Sequence, residues 1–273
     1  MRAVIVFCLL SFISVAFAAS GDFERLLPIL TKEANEQEVS PKTTQELKEL
    51  FQDSETHLPR VFVKRLPDDF ADKGNKKLYA KVLTALILRE NEKILNERVL
   101  FLLLKEKWDK GEKWTDQEEA YFNFLVDKYD STVLKTVPTK INDLIMKIDE
   151  IPPSLAIFQS ALETDFGKKN LLSPFGQQGW LDNTTYAPLK YTNLSDAVRA
   201  YVQEMNSTPN YEDFHRLRAK HIQKQTPKGS FYMAQGLRTY RPEDTAYIEK
   251  IRRLMGENSF VFQMDKINFK RNK

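Results

Sequence analysis

From Asn75 to Leu104, apolar side chains recur every three or four residues, at Leu78, Val82, Leu86, Ile94, Val99 and Leu102, with charges between them. That spacing predicts one long amphipathic helix. Gly111 and Trp114 mark a break. Thr115 and Glu118 then stand at capping-box spacing and open a helix with Tyr121, Phe122, Leu125 and Val126 on its core side. Leu155, Phe158, Leu162 and Phe166 form another helical stripe, entered through Pro152 and Pro153 and ended by Gly167. The pattern changes at residues 177–193, QQGWLDNTTYAPLKYTN, where aromatics mix with amides and hydroxyls around an Asp182-Asn183 turn signal. This predicts a short irregular hairpin lobe. Helical spacing returns with a helix capped by Ser195 and displaying Val198, Tyr201, Val202 and Met205. Pro209 starts the next, with Tyr211, Phe214 and Leu217, and Pro242-Glu243 a later one, with Tyr247, Ile248 and Ile251, ended by Gly256. SFVFQM, residues 259–264, suits a short strand or an extended arm.

The fold class expected from these elements is mainly α with a small β-hairpin lobe. Residues 19–74 read as an N-terminal helical arm and linker, irregular around His57, Pro59 and Pro67. Residues 75–145 read as a helical region, 146–258 as the domain that carries the stripe and the lobe, and 259–273 as a tail.

The N-terminus adds a location. Arg2, an apolar run from Ala3 to Phe17 and an Ala16-Phe17-Ala18 cleavage signal make residues 1–18 a secretory signal peptide, too short for a membrane span. The product is expected in the periplasm or outside the cell, with no membrane attachment after cleavage. Cys8, the only cysteine, lies inside this segment, so the mature chain has no disulfide, thiol nucleophile or cysteine metal site. With Arg2 removed the net charge is about +2, too balanced to favour nucleic acid as a partner.

Candidate chemistry centres on Glu163, a lone carboxylate at the edge of an apolar stripe, one turn beyond Gln159. Apolar neighbours strip hydration from a carboxylate and raise its pKa above the usual value of about 4.3, the state a general acid needs. The rings of Trp180, Tyr186 and Tyr191 beside hydrogen-bonding side chains suit a carbohydrate groove. His57, His215 and His221 lack metal-ligand spacing, and no phosphate loop, dinucleotide fingerprint or nucleophile elbow occurs. Asn183, Asn193 and Asn206 begin glycosylation sequons, which matter only in a host that glycosylates.

Residues 159–167, QSALETDFG, resemble the Q-A-A-x-E-S-x-W-G motif of bacterial N-acetylglucosaminidases of glycoside hydrolase family 73, in its Bax-like branch. Phe175-Gly176-Gln177 resembles that branch's NLFG turn, and residues 200–211 its A-Y-x-x-N-L-N-x-x-P-x-Y segment. Arg218-Ala219, Gly236-Leu237 and Tyr240 to Tyr247 continue the likeness. Upstream, Arg89-Glu90-Asn91, Ile94, Arg98, Trp114 and the capping box extend it to about residues 75–256. Phe166 stands where the family has Trp, and Ser173-Pro174 where Asn-Leu is expected.

The resemblance implies a lysozyme-like α+β fold, peptidoglycan glycan strands as substrate, cleavage after N-acetylglucosamine without a cofactor, and Glu163 as proton donor. It places Gln159, Phe166, Gly167, Phe175, Gly176, Gln177, Tyr201 and Tyr211 at substrate-binding positions and Tyr240 at a catalytic one, and the lobe's composition adds Trp180 as a substrate-binding candidate. The second group is either Asp182, across the roughly 6.5–9.5 Å of an inverting site, or the substrate's own acetamido group. The tyrosines serve either packing or substrate contact. A lytic transglycosylase or muramidase uses the same single-acid logic on the neighbouring bond, and a non-catalytic peptidoglycan-binding protein keeps the groove without the acid.

Overall fold

The computed structural model describes residues 22–32, 36–52, 56–180, 186–223, 228–240 and 246–270. The signal segment, Asp182, Asn183 and Pro242-Glu243 lie outside the described residues.

The chain opens with α1 (Asp22–Leu30), β1 (Gln37–Val39), α2 (Thr44–Leu50), β2 (His57–Leu58), β3 (Val61–Val63) and α3 (Phe70–Lys73). The long α4 (Lys76–Asp109) follows, then α5 (Asp116–Lys128), α6 (Val137–Lys147) and α7 (Pro153–Thr164). A hairpin of β4 (Gln178–Trp180) and β5 (Tyr186–Pro188) precedes α8 (Leu194–Ser207), the 3-10 turn Pro209–Tyr211, α9 (Glu212–Gln223) and α10 (Gly229–Met233). A second 3-10 turn (Ala234–Leu237), α11 (Tyr247–Glu257), the 3-10 helix Ser259–Lys266 and β6 (Asn268–Phe269) complete it. β1 runs parallel to β3 and β2 parallel to β6, whereas β4 and β5 are antiparallel with Gly179 opposite Ala187. The fold is mainly α and lysozyme-like, a helical body with a small β lobe. Among the described residues, no helix is long and apolar enough to cross a membrane.

α4 organises the body. Asn75 caps it by accepting from the Leu78 N–H, and its 34 residues span about 51 Å. Its first half is buried on nearly every side, from Leu78 through Ile87, where α7 and α8 pack against it, while α1 meets it farther along at Asn96. Farther along only one stripe stays inside, at Ile94, Phe101 and Leu104, while Val99 and Leu102 sit on its flanks. The capping box at Thr115 and Glu118 forms as its spacing predicts.

Four local readings are corrected. Residues 19–74 are not simply a helical arm: β1, β2 and β3 lie within them and dock on the body. Arg89 of α4 is the clamp. It is 1% exposed, 3.1 Å from Glu38 and 3.0 Å from Glu90, with its guanidinium 4.7 Å above the Phe62 ring. A buried guanidinium requires such partners, so the N-terminal segment is held against α4. The SFVFQM segment is a 3-10 helix rather than a strand, because Val261, Phe262 and Met264 all turn inward and Phe262 meets Phe158 at 5.4 Å. Asn193, not Ser195, caps α8, accepting from the Asp196 N–H at 2.7 Å, and α11 runs one residue past Gly256.

Candidate active site

α7 carries Glu163 and is fixed at both ends. Asn91 of α4 reads the Ile151 backbone in both directions, donating to its carbonyl and accepting from its N–H, each at 2.9 Å. Asp265 accepts from the Ser154 N–H at 2.7 Å and from its hydroxyl at 2.6 Å, satisfying a helix-start donor that no intrahelical partner reaches. In the middle, the Tyr79 hydroxyl lies 2.6 Å from Ser160 Oγ and 3.1 Å from Thr164 Oγ1. The simple stripe understated this helix, since Gln159 and Ser160, off the stripe, are as buried as Leu155 and Phe158.

The helix ends abruptly after Thr164. Asp165, Phe166 and Gly167 follow with φ of 48°, 56° and 87°, three left-handed residues in a row. For the two that are not glycine this costs on the order of 1–3 kcal/mol each, so surrounding bonds must hold the turn. Thr164 Oγ1 accepts from the Gly167 N–H at 3.0 Å, the Thr164 carbonyl from Lys168 and Lys169, and the Glu163 carbonyl from Asn170 Nδ2 at 3.1 Å. A Cβ on Gly167 would meet the Tyr79 ring at 2.6 Å. Its bareness makes room for the Tyr79 ring. Phe166 likewise turns into the core, edge-on to Tyr79 at 6.3 Å with Lys76 Nζ 4.9 Å over its face. Glu163 is left half-buried one residue before the helix end, and Asp165 points to solvent.

Behind α7 lies a wall of rings. Phe175 stacks on Tyr201 at 4.1 Å, and Tyr240 lies between Tyr211 at 6.0 Å and Tyr247 at 5.6 Å. Gln159 is inserted as the polar link: its carbonyl oxygen accepts from the Tyr201 hydroxyl at 2.7 Å, and its amide donates to the Tyr247 hydroxyl at 3.3 Å. Tyr240 donates to the Phe175 carbonyl at 2.8 Å. Burial, reinforced by neighbouring tyrosines and Glu204, pushes the Tyr201 and Tyr240 phenols well above their ordinary pKa. Both stay protonated at neutral pH and act as donors, not bases.

Gln159, Phe175, Gly176, Gln177, Tyr201, Tyr211 and Tyr240 are therefore brought together, as a buried wall rather than an open groove lining. Trp180 pairs with Tyr186 in the β4–β5 ladder. Two members of this cluster escaped sequence reasoning. Tyr247 was read as a helix residue and as part of the family likeness, with no role in the site. Glu204 accepts from Gln177 Nε2 at 2.5 Å and from the Tyr211 hydroxyl at 3.0 Å, tying the foot of the lobe to α8. The signal was present, since Glu204 stands three residues after Tyr201 on one helix face, where the resembling motif has Asn.

The histidines lie elsewhere. His215 is buried against the Met205 carbonyl at 2.8 Å, and His221 stacks on Tyr232. Among the described residues, no group of three or more His, Cys, Asp or Glu could hold a metal ion.

Residues 140–260 match the family model of mannosyl-glycoprotein endo-beta-N-acetylglucosaminidase. The chain is 26% identical over 158 residues to Protein bax of Escherichia coli (strain K12), covering 53% of this chain and 56% of that protein. It thus spans about half the length of the curated relative it matches. No solved structure matches. The matched region holds Glu163, the aromatic wall and the hairpin strands, so residues 140–260 are similar to a glucosaminidase domain, and the chain resembles a Bax-like protein.

Proposed function

We propose that this chain is an exported peptidoglycan hydrolase that cleaves glycan strands after N-acetylglucosamine, with Glu163 as general acid. The observation that carries this reading is the placement of Glu163 itself: a half-buried carboxylate at the end of a helix pinned at both ends, followed by a strained turn and backed by tyrosines held as donors. A glycosidic oxygen leaves readily only when protonated, and a positioned carboxyl in a partly apolar setting delivers that proton, as in lysozyme, the standard case of this chemistry. Strained backbone maintained by neighbouring bonds is found at sites that must be preorganised. The family domain supports a glycosidase acting on cell-wall glycans. The apolar N-terminal segment supports export to the cell envelope.

Glu204 is not a free partner for the acid, because both of its oxygens are engaged by Gln177 and Tyr211. The second step then falls to Asp182 of the lobe or to the substrate's acetamido group, oriented by the site.

The test is Glu163→Gln on purified peptidoglycan. Release of reducing N-acetylglucosamine ends, followed by mass spectrometry, is expected to fall at least ~10²-fold, the usual contribution of a general acid, with an unchanged thermal midpoint. Retained activity in this variant overturns the assignment. 1,6-Anhydro ends in the wild-type products would move the reading to a lytic transglycosylase.

A further inference from the structure

Three segments meet beside the proposed acid and enclose a cavity of about 280 Å³: the stretch before α3, the loop after α7, and the exit of the hairpin lobe. Its walls include Lys64, Arg65 and Asp68 from the first, Gly167 and Lys168 from the second, and Tyr191 from the third. Backbone bonds join the three pieces, Leu194 N–H to the Lys64 carbonyl at 2.6 Å and Tyr191 N–H to the Leu172 carbonyl at 2.7 Å. The cavity is thus built from the N-terminal region and the glucosaminidase domain together, and neither makes it alone. The loop forming one wall is the one whose Asn170 holds the Glu163 carbonyl, so the cavity lies four residues along the chain from the acid.

Its charge is uneven. Three cations face one acid. Lys64 is engaged by Glu38 at 3.1 Å, whereas Lys168 reaches Asp165 only at 3.9 Å, between two exposed side chains. Arg65 and Asp68 have no ion-pair or hydrogen-bond partner among the described residues. Arg65, Asp68 and Lys168 are exposed at the pocket's rim, and an uncommitted guanidinium and a loosely held ammonium lining one pocket can pair with a carboxylate. Asp68 is available to accept from amide N–H groups next to it. At about 280 Å³ the pocket lies at the small end of ligand sites, with room for a small acidic unit.

We propose that this cavity is a subsite for the carboxylate-bearing peptide stem attached to the glycan strand, so that the enzyme engages a strand by its sugars at Glu163 and by a stem at Arg65 and Lys168. This rests on the peptidoglycan reading above. It assigns the N-terminal region a part in substrate choice that no residue of the matched domain supplies alone.

The experiment compares peptide-bearing strands with strands stripped of stems by an amidase, for wild type and for the double variant Arg65→Gln, Lys168→Gln. Wild type is expected to favour peptide-bearing strands by roughly tenfold in kcat/KM, the scale of one charge-assisted contact, and the variant's ratio to fall towards one. A wild-type ratio of one, or a variant that keeps the wild-type ratio, overturns the subsite and leaves the hydrolase reading intact. Binding of a soluble free stem peptide, followed by NMR titration, separates the two readings. If wild type cleaves neither strand, the hydrolase reading fails, and the subsite stands only if the peptide binds wild type at least fivefold tighter than the variant. Equal binding of a stem with amidated carboxyls, or displacement by inorganic phosphate at matched concentration, shows a general polar or anion site and overturns the assignment.

Discussion

α7, which carries the proposed acid, and the hairpin lobe are built on opposite principles. α7 is buried along nearly its whole length, pinned by Asn91 and Asp265 at its start and by the Tyr79 hydroxyl cluster near its end. The lobe has two strands of three residues, joined to the body by a few backbone bonds and by Gln177 on Glu204. A two-stranded hairpin of that size is marginal in water without such support. The proposed acid therefore belongs to the preorganised side, where errors of an ångström are suppressed, while the lobe proposed to contact the sugar chain is held by fewer bonds. Substitutions beneath α7 should lower stability and activity together, and those at the foot of the lobe should separate the two.

The largest effect is expected from Gln159→Leu. The substitution leaves the Tyr201 hydroxyl buried without its acceptor, at about 1–3 kcal/mol, and also removes the Gln159 amide from the Tyr247 hydroxyl. Urea unfolding should show a loss of roughly 2–4 kcal/mol, with glycan cleavage falling in parallel. A loss below about 1 kcal/mol would mean that water replaces the amide, and the picture of a dry, preorganised wall would fail.

Next comes a pH effect in the body. Burial, assisted by the positive charge of Arg218, lowers His215 to about 3. The fold keeps this imidazole neutral, whereas the unfolded chain protonates it near 6.5. Its stabilising contribution is therefore complete above about pH 6.5 and is lost as pH falls through the window towards about 3, by ~1.4 kcal/mol per unit once below 6. Thermal midpoints measured from pH 7 to pH 4 should fall accordingly, and His215→Gln should flatten that part of the profile. An unchanged slope in the variant assigns acid sensitivity to other groups.

How far these features were legible in sequence follows the same divide. Elements governed by local rules could be read directly: the long α4 pattern from Asn75, the Thr115 box, the proline entry to α7 and the hairpin itself. Glu163 could be singled out because a carboxylate beside an apolar stripe conflicts with its surroundings. What escaped depends on contacts distant in sequence. Nothing near Asp265 announces that it completes a helix start at Ser154, 111 residues earlier. The strands of residues 19–74 are too short to carry a period and exist because β3 and β6 supply partners. Phe166 and Gly167 fitted a motif at an open helix end, but three successive left-handed residues swing the ring inward and put the glycine against Tyr79. Glu204 was passed over because its partners, Gln177 and Tyr211, make it a hinge pin only once the lobe is folded down.

Glu204→Gln should produce the smallest change in stability and the clearest separation. The carboxylate accepts two hydrogen bonds, from Gln177 Nε2 and from Tyr211, and a glutamine retains one acceptor oxygen in the same space. Because Glu204 is only half-buried, water can take over the lost bond, and the stability change should stay below about 1 kcal/mol. The lobe loses its charged anchor, so backbone amides of β4 and β5 should exchange hydrogen faster while those of α7 keep their rates, since local opening follows local contacts. For glycan cleavage KM should rise severalfold with a smaller change in kcat, as expected when the closing side is loosened and the acid is not moved. Exchanging the pair, as Gln177→Glu with Glu204→Gln, places the carboxylate at the other end of the same bond and should restore much of the protection. Equal acceleration of exchange in lobe and α7, or a fall in kcat as large as that of Glu163→Gln, would show that Glu204 serves the acid directly, and the division between a fixed helix and a tethered lobe would then have to be abandoned.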